Sequence, residues 1–260
     1  MFKTRKELTE GFSEILQGQL RQFADDHITS SNWLKTQVIE LDQHADTDQT
    51  SIDYLLEKIT TLLDDHTRED LDDNDFYGFY STDDNDKKSD LYIDAHDNRF
   101  VRIYTFLSSD KFNSFIKHLT SNARIDQIWL PQEYMNELTG LGSFKGYGGR
   151  FNNKYFLESS TRRELDENDD YISQSFKSWS NSRKILNLIN NDNEARQQFA
   201  LTNARTKIYL GESDESVTDD VAFSGKITTL GNSFAPHLDM LDKIVASYKH
   251  IVVSKIEEPF

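Results

Sequence analysis

The chain has 260 residues, of which 36% are hydrophobic and 12% aromatic, and its 45 acidic residues outnumber its 29 basic residues to give a formal net charge of −16. This length suffices for one large domain or two ordinary ones, and the aromatic content argues against a disordered chain. The absence of cysteine excludes disulfides, thiolate metal sites and cysteine nucleophiles. The negative charge argues against nucleic-acid binding over the whole surface, so any such binding must be local.

Two features of the sequence bear on its environment. Residues 1–12 carry positive charge, but no apolar segment follows them, and no apolar run approaches the length of a membrane span. We therefore expect a cytoplasmic protein that does not bind membranes. Much of the acidic excess lies in pairs such as Asp64-Asp65 and Asp72-Asp73, which are typical either of a salt-adapted cytoplasm or of an ordinary acidic protein.

The first part of the chain shows helical periodicity. Apolar residues recur at helical spacing over residues 4–26, 30–41 and 51–65, and we predict a helix in each range. Three helices with short connections can pack as a small bundle, so residues 1–66 are expected to form a helical segment. Its first helix carries a stripe that includes Leu8, Phe12, Ile15 and Leu20. This stripe suits self-association or a protein partner; alternatively, it covers a face of the following domain.

The periodicity changes to that of strands after the Asp-rich stretch 64–90. Alternation over Leu91–Ala95 and Phe100–Leu107 predicts a hairpin, and Ser108 and Ser233 are expected to cap helices. Further strands are predicted near 125–130, 172–179, 207–210, 219–230 and 251–253, with a helix from about 185 that continues to about 201. Residues 76–260 therefore read as an α+β domain whose mostly antiparallel sheet has helices on one face.

Two short segments match between the halves of this domain. Asn122-Ala123-Arg124 and Asn203-Ala204-Arg205 each precede an apolar strand. The match indicates an internal duplication, with halves at about 90–160 and 171–260, or it arose by chance.

Motifs for catalysis are missing from the sequence. The glycines lack dinucleotide spacing, and neither a phosphate-loop signature nor a Gly-x-Ser-x-Gly nucleophile motif occurs. We therefore assign no catalytic residue and no cofactor, and we favour a non-enzymatic binding or regulatory protein.

One pair of residues supports a different function. Asp94 and His96 would lie on the same face of a strand, and a carboxylate with an imidazole can hold a divalent cation. The alternative to a binding protein is therefore a metal-dependent hydrolase or nuclease that uses this pair.

The strongest local signal is the segment 140–155, GLGSFKGYGGRFNNKY. It contains five of the eleven glycines and lies in a stretch from Leu138 to Leu157 without an acidic residue. Glycine backbone can approach a phosphate closely, cationic side chains supply charge, and aromatic rings can stack on bases. We predict a nucleic-acid or nucleotide contact that rests on close contacts and survives moderate salt. The residues proposed for it are Lys145, Gly146, Tyr147, Gly148, Gly149, Arg150, Phe151 and Lys154. The alternatives are an acidic protein partner, or a hairpin whose aromatic side chains pack inward.

Overall fold

The structure is a computed structural model, and it describes residues 2–24, 33–43, 49–81, 89–121, 123–152, 173–178 and 182–252. The helices are α1 (Arg5–Ala24), α2 (Ser51–Leu62), α3 (Ser109–Leu119), α4 (Gln132–Leu138), α5 (Ser182–Asn191), α6 (Asn193–Gln198) and α7 (Ala235–Ile251). The strands are β1 (Leu34–Leu41), β2 (His66–Asp70), β3 (Phe76–Ser81), β4 (Ser89–Asp94), β5 (Phe100–Thr105), β6 (Ile125–Gln127), β7 (Ser143–Asn152), β8 (Ser173–Ser178), β9 (Phe199–Tyr209), β10 (Ser216–Ala222) and β11 (Lys226–Gly231).

The chain divides into two compact units. Unit 1 consists of Met1–Trp129, Tyr209–Thr218 and Ser224–Phe260, and unit 2 of Leu130–Ile208 and Asp219–Phe223. The boundary predicted near residue 66 does not coincide with any of these divisions. The internal duplication stays a prediction. None of the described helices is long and apolar enough to cross a membrane.

Unit 1 is built on an antiparallel sheet with the strand order β2-β3-β4-β5-β1-β11. The short β6 pairs with the end of β1 at Ile39–Leu41. The predicted α+β class and the antiparallel sheet are thus confirmed. Of the two expected caps, Ser108 forms, since its side chain accepts a hydrogen bond from Lys111 N at the start of α3. Ser233 does not cap α7, because Phe234 holds the cap position and the Ser233 hydroxyl donates to Glu215 Oε2 at 3.0 Å.

The helix predicted over 30–41 is wrong, because the described part of this range forms β1. This strand lies between β5 and β11, and residues 34–39 are all at most 1% exposed. A strand covered on both faces loses the alternation that reveals it in sequence, and the polar Lys35 and Gln37 imitate a helical pattern. Their polar atoms are satisfied internally, since Lys35 Nζ donates to Trp33 O and Gln37 Nε2 donates to Ser224 O.

Helices cover both faces of this sheet, whereas the sequence predicted helices on one face. On one face, Phe12 of α1 meets the ring of Tyr104 at 6.2 Å, and His237 of α7 bonds to Thr36. On the opposite face, α2 and α3 pack on a core that includes Ile39, Ile93, Val101 and Ile103.

In unit 2, β7 pairs antiparallel with β8 on one side and with β9 on the other. Helix α4 is tied to β9 by the Gln132 side chain, which bonds to both backbone groups of Leu201 at 2.5 and 3.0 Å. Thr206 Oγ1 also donates to Leu138 O at 3.1 Å. These contacts place the apolar side chains of α4 against one face of the sheet.

Three further elements differ from the sequence analysis. β2 pairs with β3 inside the Asp-rich stretch, and it escaped detection because its sequence HTRED is polar and mostly exposed. Phe199 opens β9 instead of continuing a helix. Ile251 ends α7 instead of starting a strand, and Val253 lies outside the described residues.

Candidate functional site

The glycine-rich segment forms strand β7, which is paired on both sides. Gly148 lies opposite Lys177 in β8 and Asn203 in β9, and Gly149 lies opposite Phe176 and Leu201. In a strand with two neighbours the backbone amides take part in the ladders. This pairing does not favour the close approach of a phosphate to the backbone of Gly148 and Gly149 that the sequence indicated.

The apolar face of this sheet explains the aromatic residues. Tyr147 is 0% exposed, and its ring packs edge-on against Phe176 at 5.7 Å and Phe199 at 6.1 Å. A Cβ at Gly149 would lie 2.2 Å from Phe199, so glycine is required where this ring crosses the strand. The predicted stacking of a base on Tyr147 is thus excluded in this conformation. Phe151 follows on the same face and is half-buried.

The opposite face of the same sheet is cationic. Side chains on one strand alternate between faces, so Gly148 and Arg150 share a face, which Lys177 joins from β8 because it lies opposite Gly148. Arg205 lies opposite Gly146 in β9, and Lys207 follows on the same side. We call this surface, made by Arg150, Lys177, Arg205 and Lys207 around Gly146 and Gly148, the basic face.

The edges of the basic face are defined by three neighbouring residues. Lys145 is exposed at a bulge, where the register of β7 against β9 shifts between Phe144 and Gly146. Asn203 donates from Nδ2 to Asp220 Oδ1 at 3.1 Å, so one carboxylate borders the surface. Lys154 lies outside the described residues.

Sequence inspection missed Lys177, Arg205 and Lys207, because only the strand pairing brings them beside β7.

Asp94 ends β4 and His96 lies beyond the strand, where the two side chains meet beside an arginine. His96 Nδ1 lies 3.1 Å from Asp94 Oδ1, and the same oxygen accepts from Arg5 Nε at 2.9 Å and from a second Arg5 nitrogen at 2.8 Å. Burial alone would raise the pKa of Asp94, but the hydrogen bonds and charge of Arg5, helped by His96, hold that pKa below its ordinary value. The carboxylate is therefore ionised and compensated.

A metal centre at this position lacks further ligands in the described part of the chain. No group of three or more His, Cys, Asp or Glu side chains that could hold a metal ion occurs among those residues. The metal role of Asp94 and His96 stays a prediction that the Arg5 contact does not favour.

A cleft of about 340 Å³ adjoins Asp94. It is bordered by α1, α7 and the strands β4 and β5, and its lining residues are Arg5, Leu8, Thr9, Asp94, His96, Arg102, Tyr104, Leu238 and Asp242. Arg102 lies opposite Asp94 in the β4–β5 ladder, and its guanidinium donates to Asp242 Oδ1 at 2.6 Å. The cleft thus contains two arginine–carboxylate pairs.

His237 is the other histidine with a defined environment. It is 0% exposed, and its two ring nitrogens bond to Thr36 Oγ1 at 2.8 Å and Thr229 Oγ1 at 3.1 Å. These bonds anchor the start of α7 on the sheet, which is the packing role that a helix-terminal histidine commonly fills.

The chain is an acidic α+β protein with antiparallel strand pairing and a local cationic face. The family model described as "MJECL33-like protein" matches residues 1–260, and the chain belongs to that family. It is 20% identical, over 280 aligned positions, to a protein of Methanocaldococcus jannaschii that carries the name "Uncharacterized protein MJECL33". The match covers 94% of this chain and 65% of that relative. These similarities establish the family and indicate no function.

Proposed function

We propose that the protein is a binding protein whose basic face contacts the phosphate backbone of single-stranded nucleic acid. The observation that carries the proposal is the convergence of Arg150, Lys177 and Arg205 from three strands onto one face, in a chain of net charge −16. Proteins that bind single strands without sequence preference use a positively charged surface that follows the backbone.

The geometry of β7 supports contacts from side chains rather than from the backbone. Gly146 and Gly148 are buried, and a Cβ at Gly148 would lie 2.8 Å from Thr202 Oγ1. A phosphate group would therefore meet the cationic side chains and not the backbone of β7. The aromatic rings lie on the other face, and base stacking is not part of the proposal. Binding is therefore expected to be independent of sequence.

This arrangement also changes the expected response to salt. Contacts from four cationic side chains on a single strand give a slope of roughly 3 in a plot of log Kd against log salt concentration. The sequence alone had predicted binding that survives moderate salt, on the assumption of backbone contacts. Because the backbone amides of β7 pair with the neighbouring strands, binding depends on charged side chains. We therefore expect the affinity for nucleic acid to fall as the salt concentration rises.

The test is a fluorescence anisotropy titration of a labelled oligothymidylate from about 50 to 300 mM KCl. We expect Arg150→Ala, Lys177→Ala and Arg205→Ala each to weaken binding and to reduce the salt slope by about 1. Lys6→Ala removes the same charge from an exposed lysine of α1, whose side chain is 85% exposed, and should leave both quantities unchanged.

Two results would overturn the proposal. One is the absence of binding at the lowest salt concentration. The other is an equal loss of affinity in Lys6→Ala and in the basic-face variants, because this would reflect net charge instead of a local surface.

A further inference from the structure

In the cleft of unit 1, two buried polar atoms, the Tyr104 hydroxyl and Arg102 Nε, lack an acceptor among the described residues. Tyr104 is 1% exposed and Arg102 6% exposed. The Tyr104 hydroxyl lies beside the Arg102 guanidinium, and apart from this mutual contact neither the hydroxyl nor Arg102 Nε has a hydrogen-bond partner within the described part of the chain. A buried polar group without a hydrogen bond destabilises the folded protein, so both groups favour an additional acceptor.

The protonation state of both groups makes them donors. An arginine guanidinium keeps its charge and has no acceptor. Burial, followed by the charge of Asp94, raises the pKa of Tyr104 above its ordinary value, so the hydroxyl keeps its proton at neutral pH. Two adjacent donors, one of them charged, match an anion with more than one oxygen.

Asp242 indicates which kind of anion fits. Its carboxylate oxygen lies 2.6 Å from the Arg102 guanidinium while its side chain is 65% exposed. The chain thus places a carboxylate of its own at the mouth of the cleft, held at one oxygen and otherwise open to solvent. A ligand carboxylate can replace it and reach the deeper donors as well.

The remaining walls restrict the body of such a ligand. Leu8 and Leu238 supply apolar surface, and the volume of about 340 Å³ lies near the lower end of the range for small-molecule sites. Asp94 is already compensated by Arg5 at 2.8 Å, so it adds little repulsion. These features suit a short hydrocarbon chain.

We propose that this cleft binds a small organic carboxylate, which accepts hydrogen bonds from Tyr104 and Arg102 and displaces Asp242 from the arginine. This site lies within unit 1 and is independent of the basic face of unit 2. It also differs from the metal site predicted at Asp94 and His96, because it binds an anion through hydrogen-bond donors and not a cation through metal-coordinating side chains.

The probe is butyrate, measured by calorimetry and ligand-observed NMR on the full chain, with butyramide as its neutral counterpart. We expect butyrate to bind and butyramide not to bind. Tyr104→Phe keeps the ring and removes one hydrogen bond to a charged group, which should weaken butyrate roughly ten- to hundredfold. Asp242→Asn removes the competing carboxylate and should strengthen butyrate binding several-fold.

The two variants are expected to change butyrate affinity in opposite directions. Misfolding cannot explain both changes, because a misfolded protein would not bind butyrate more tightly. Equal binding of butyrate and butyramide would overturn the proposal, as would the absence of butyrate binding. Unchanged affinity in both variants would place the ligand elsewhere. Tighter binding of inorganic phosphate than of butyrate would show a general anion site and would also contradict the carboxylate assignment.

Discussion

At Gly149, the packing of neighbouring aromatic rings leaves no room for a side chain. A Cβ at this position would lie 2.2 Å from Phe199, whose ring is held by Phe176 at 5.9 Å and Tyr147 at 6.1 Å. The ring cannot move without disturbing this cluster. We therefore expect Gly149→Ala to lower the free energy of unfolding by about 1–3 kcal/mol, measured by urea denaturation.

Gly18 provides the matched control for this substitution. It lies inside α1, and a Cβ built there has no atom within 4 Å. Because glycine weakens a helix interior, Gly18→Ala should raise the free energy of unfolding by about 0.5–1 kcal/mol. Equal effects of the two substitutions would contradict the packing described for β7.

Lys35 gives a prediction about pH. Burial, with a smaller effect from the charge of Lys226, lowers the pKa of Lys35 from 10.5 to about 8. Between these values the unfolded chain binds more protons than the folded protein. The free energy of unfolding should therefore rise with pH in this window, by at most about 1.4 kcal/mol per pH unit for one proton.

Tyrosines limit this window on the alkaline side. Burial raises the pKa of Tyr248 to about 12, so the folded state keeps this proton longer than the unfolded chain and stability falls above about pH 10. Denaturation of the wild type and of Lys35→Met between about pH 8 and 10 tests the assignment. A rise of equal slope in both proteins would show that another group is responsible.

At the scale of elements, α1 is part of the core of unit 1. Within the stripe expected to meet a partner, Ile15 is half-buried and Leu20 is 38% exposed, whereas Leu8 and Phe12 are at most 3% exposed and pack, with Leu16, on the sheet of their own unit. Self-association through these side chains has no support in this conformation, and the alternative, that the helix covers a sheet face, describes the packing.

Phe12→Ala tests the role of this helix. The ring contacts Phe106 and Phe234, each at 5.1 Å, and its loss leaves a cavity. We expect a loss of about 3–5 kcal/mol in the free energy of unfolding, measured by urea denaturation. Leu20→Ala, on the same helix at 38% exposure, should cost much less. Similar small losses for both would indicate that α1 does not stabilise unit 1.

The sequence predicted some of these elements well and others not at all. The helical periodicity of α1, α2 and α3 survives because each has one apolar face and one exposed face. The central β1 has no exposed face, so apolar and polar residues do not alternate along it. The polar β2 has too few apolar residues for its sequence to indicate a strand. In β7 the composition predicted a basic segment, but the direction of each side chain depends on pairing with β8 and β9.

At the scale of the whole molecule, the excess of acidic residues should affect stability. A formal net charge of −16 destabilises the compact state through self-repulsion, and salt screens this repulsion over about 10 Å at 0.1 M and 3 Å at 1 M. We expect Tm to rise as KCl is added. A rise complete near 0.1 M indicates ordinary screening, whereas a rise that continues towards 1 M supports adaptation to a salt-rich cytoplasm. A constant Tm would contradict both interpretations.

The measurement that tests the proposed function most directly is an NMR map of backbone amide shifts during titration with unlabelled oligothymidylate at low salt. The basic face predicts shifts in β7, β8 and β9, centred on Gly148, Arg150, Lys177 and Arg205, and their loss as KCl is added. Shifts confined to unit 1, or an unchanged spectrum at the lowest salt concentration, would contradict the assignment of the basic face as a nucleic-acid contact.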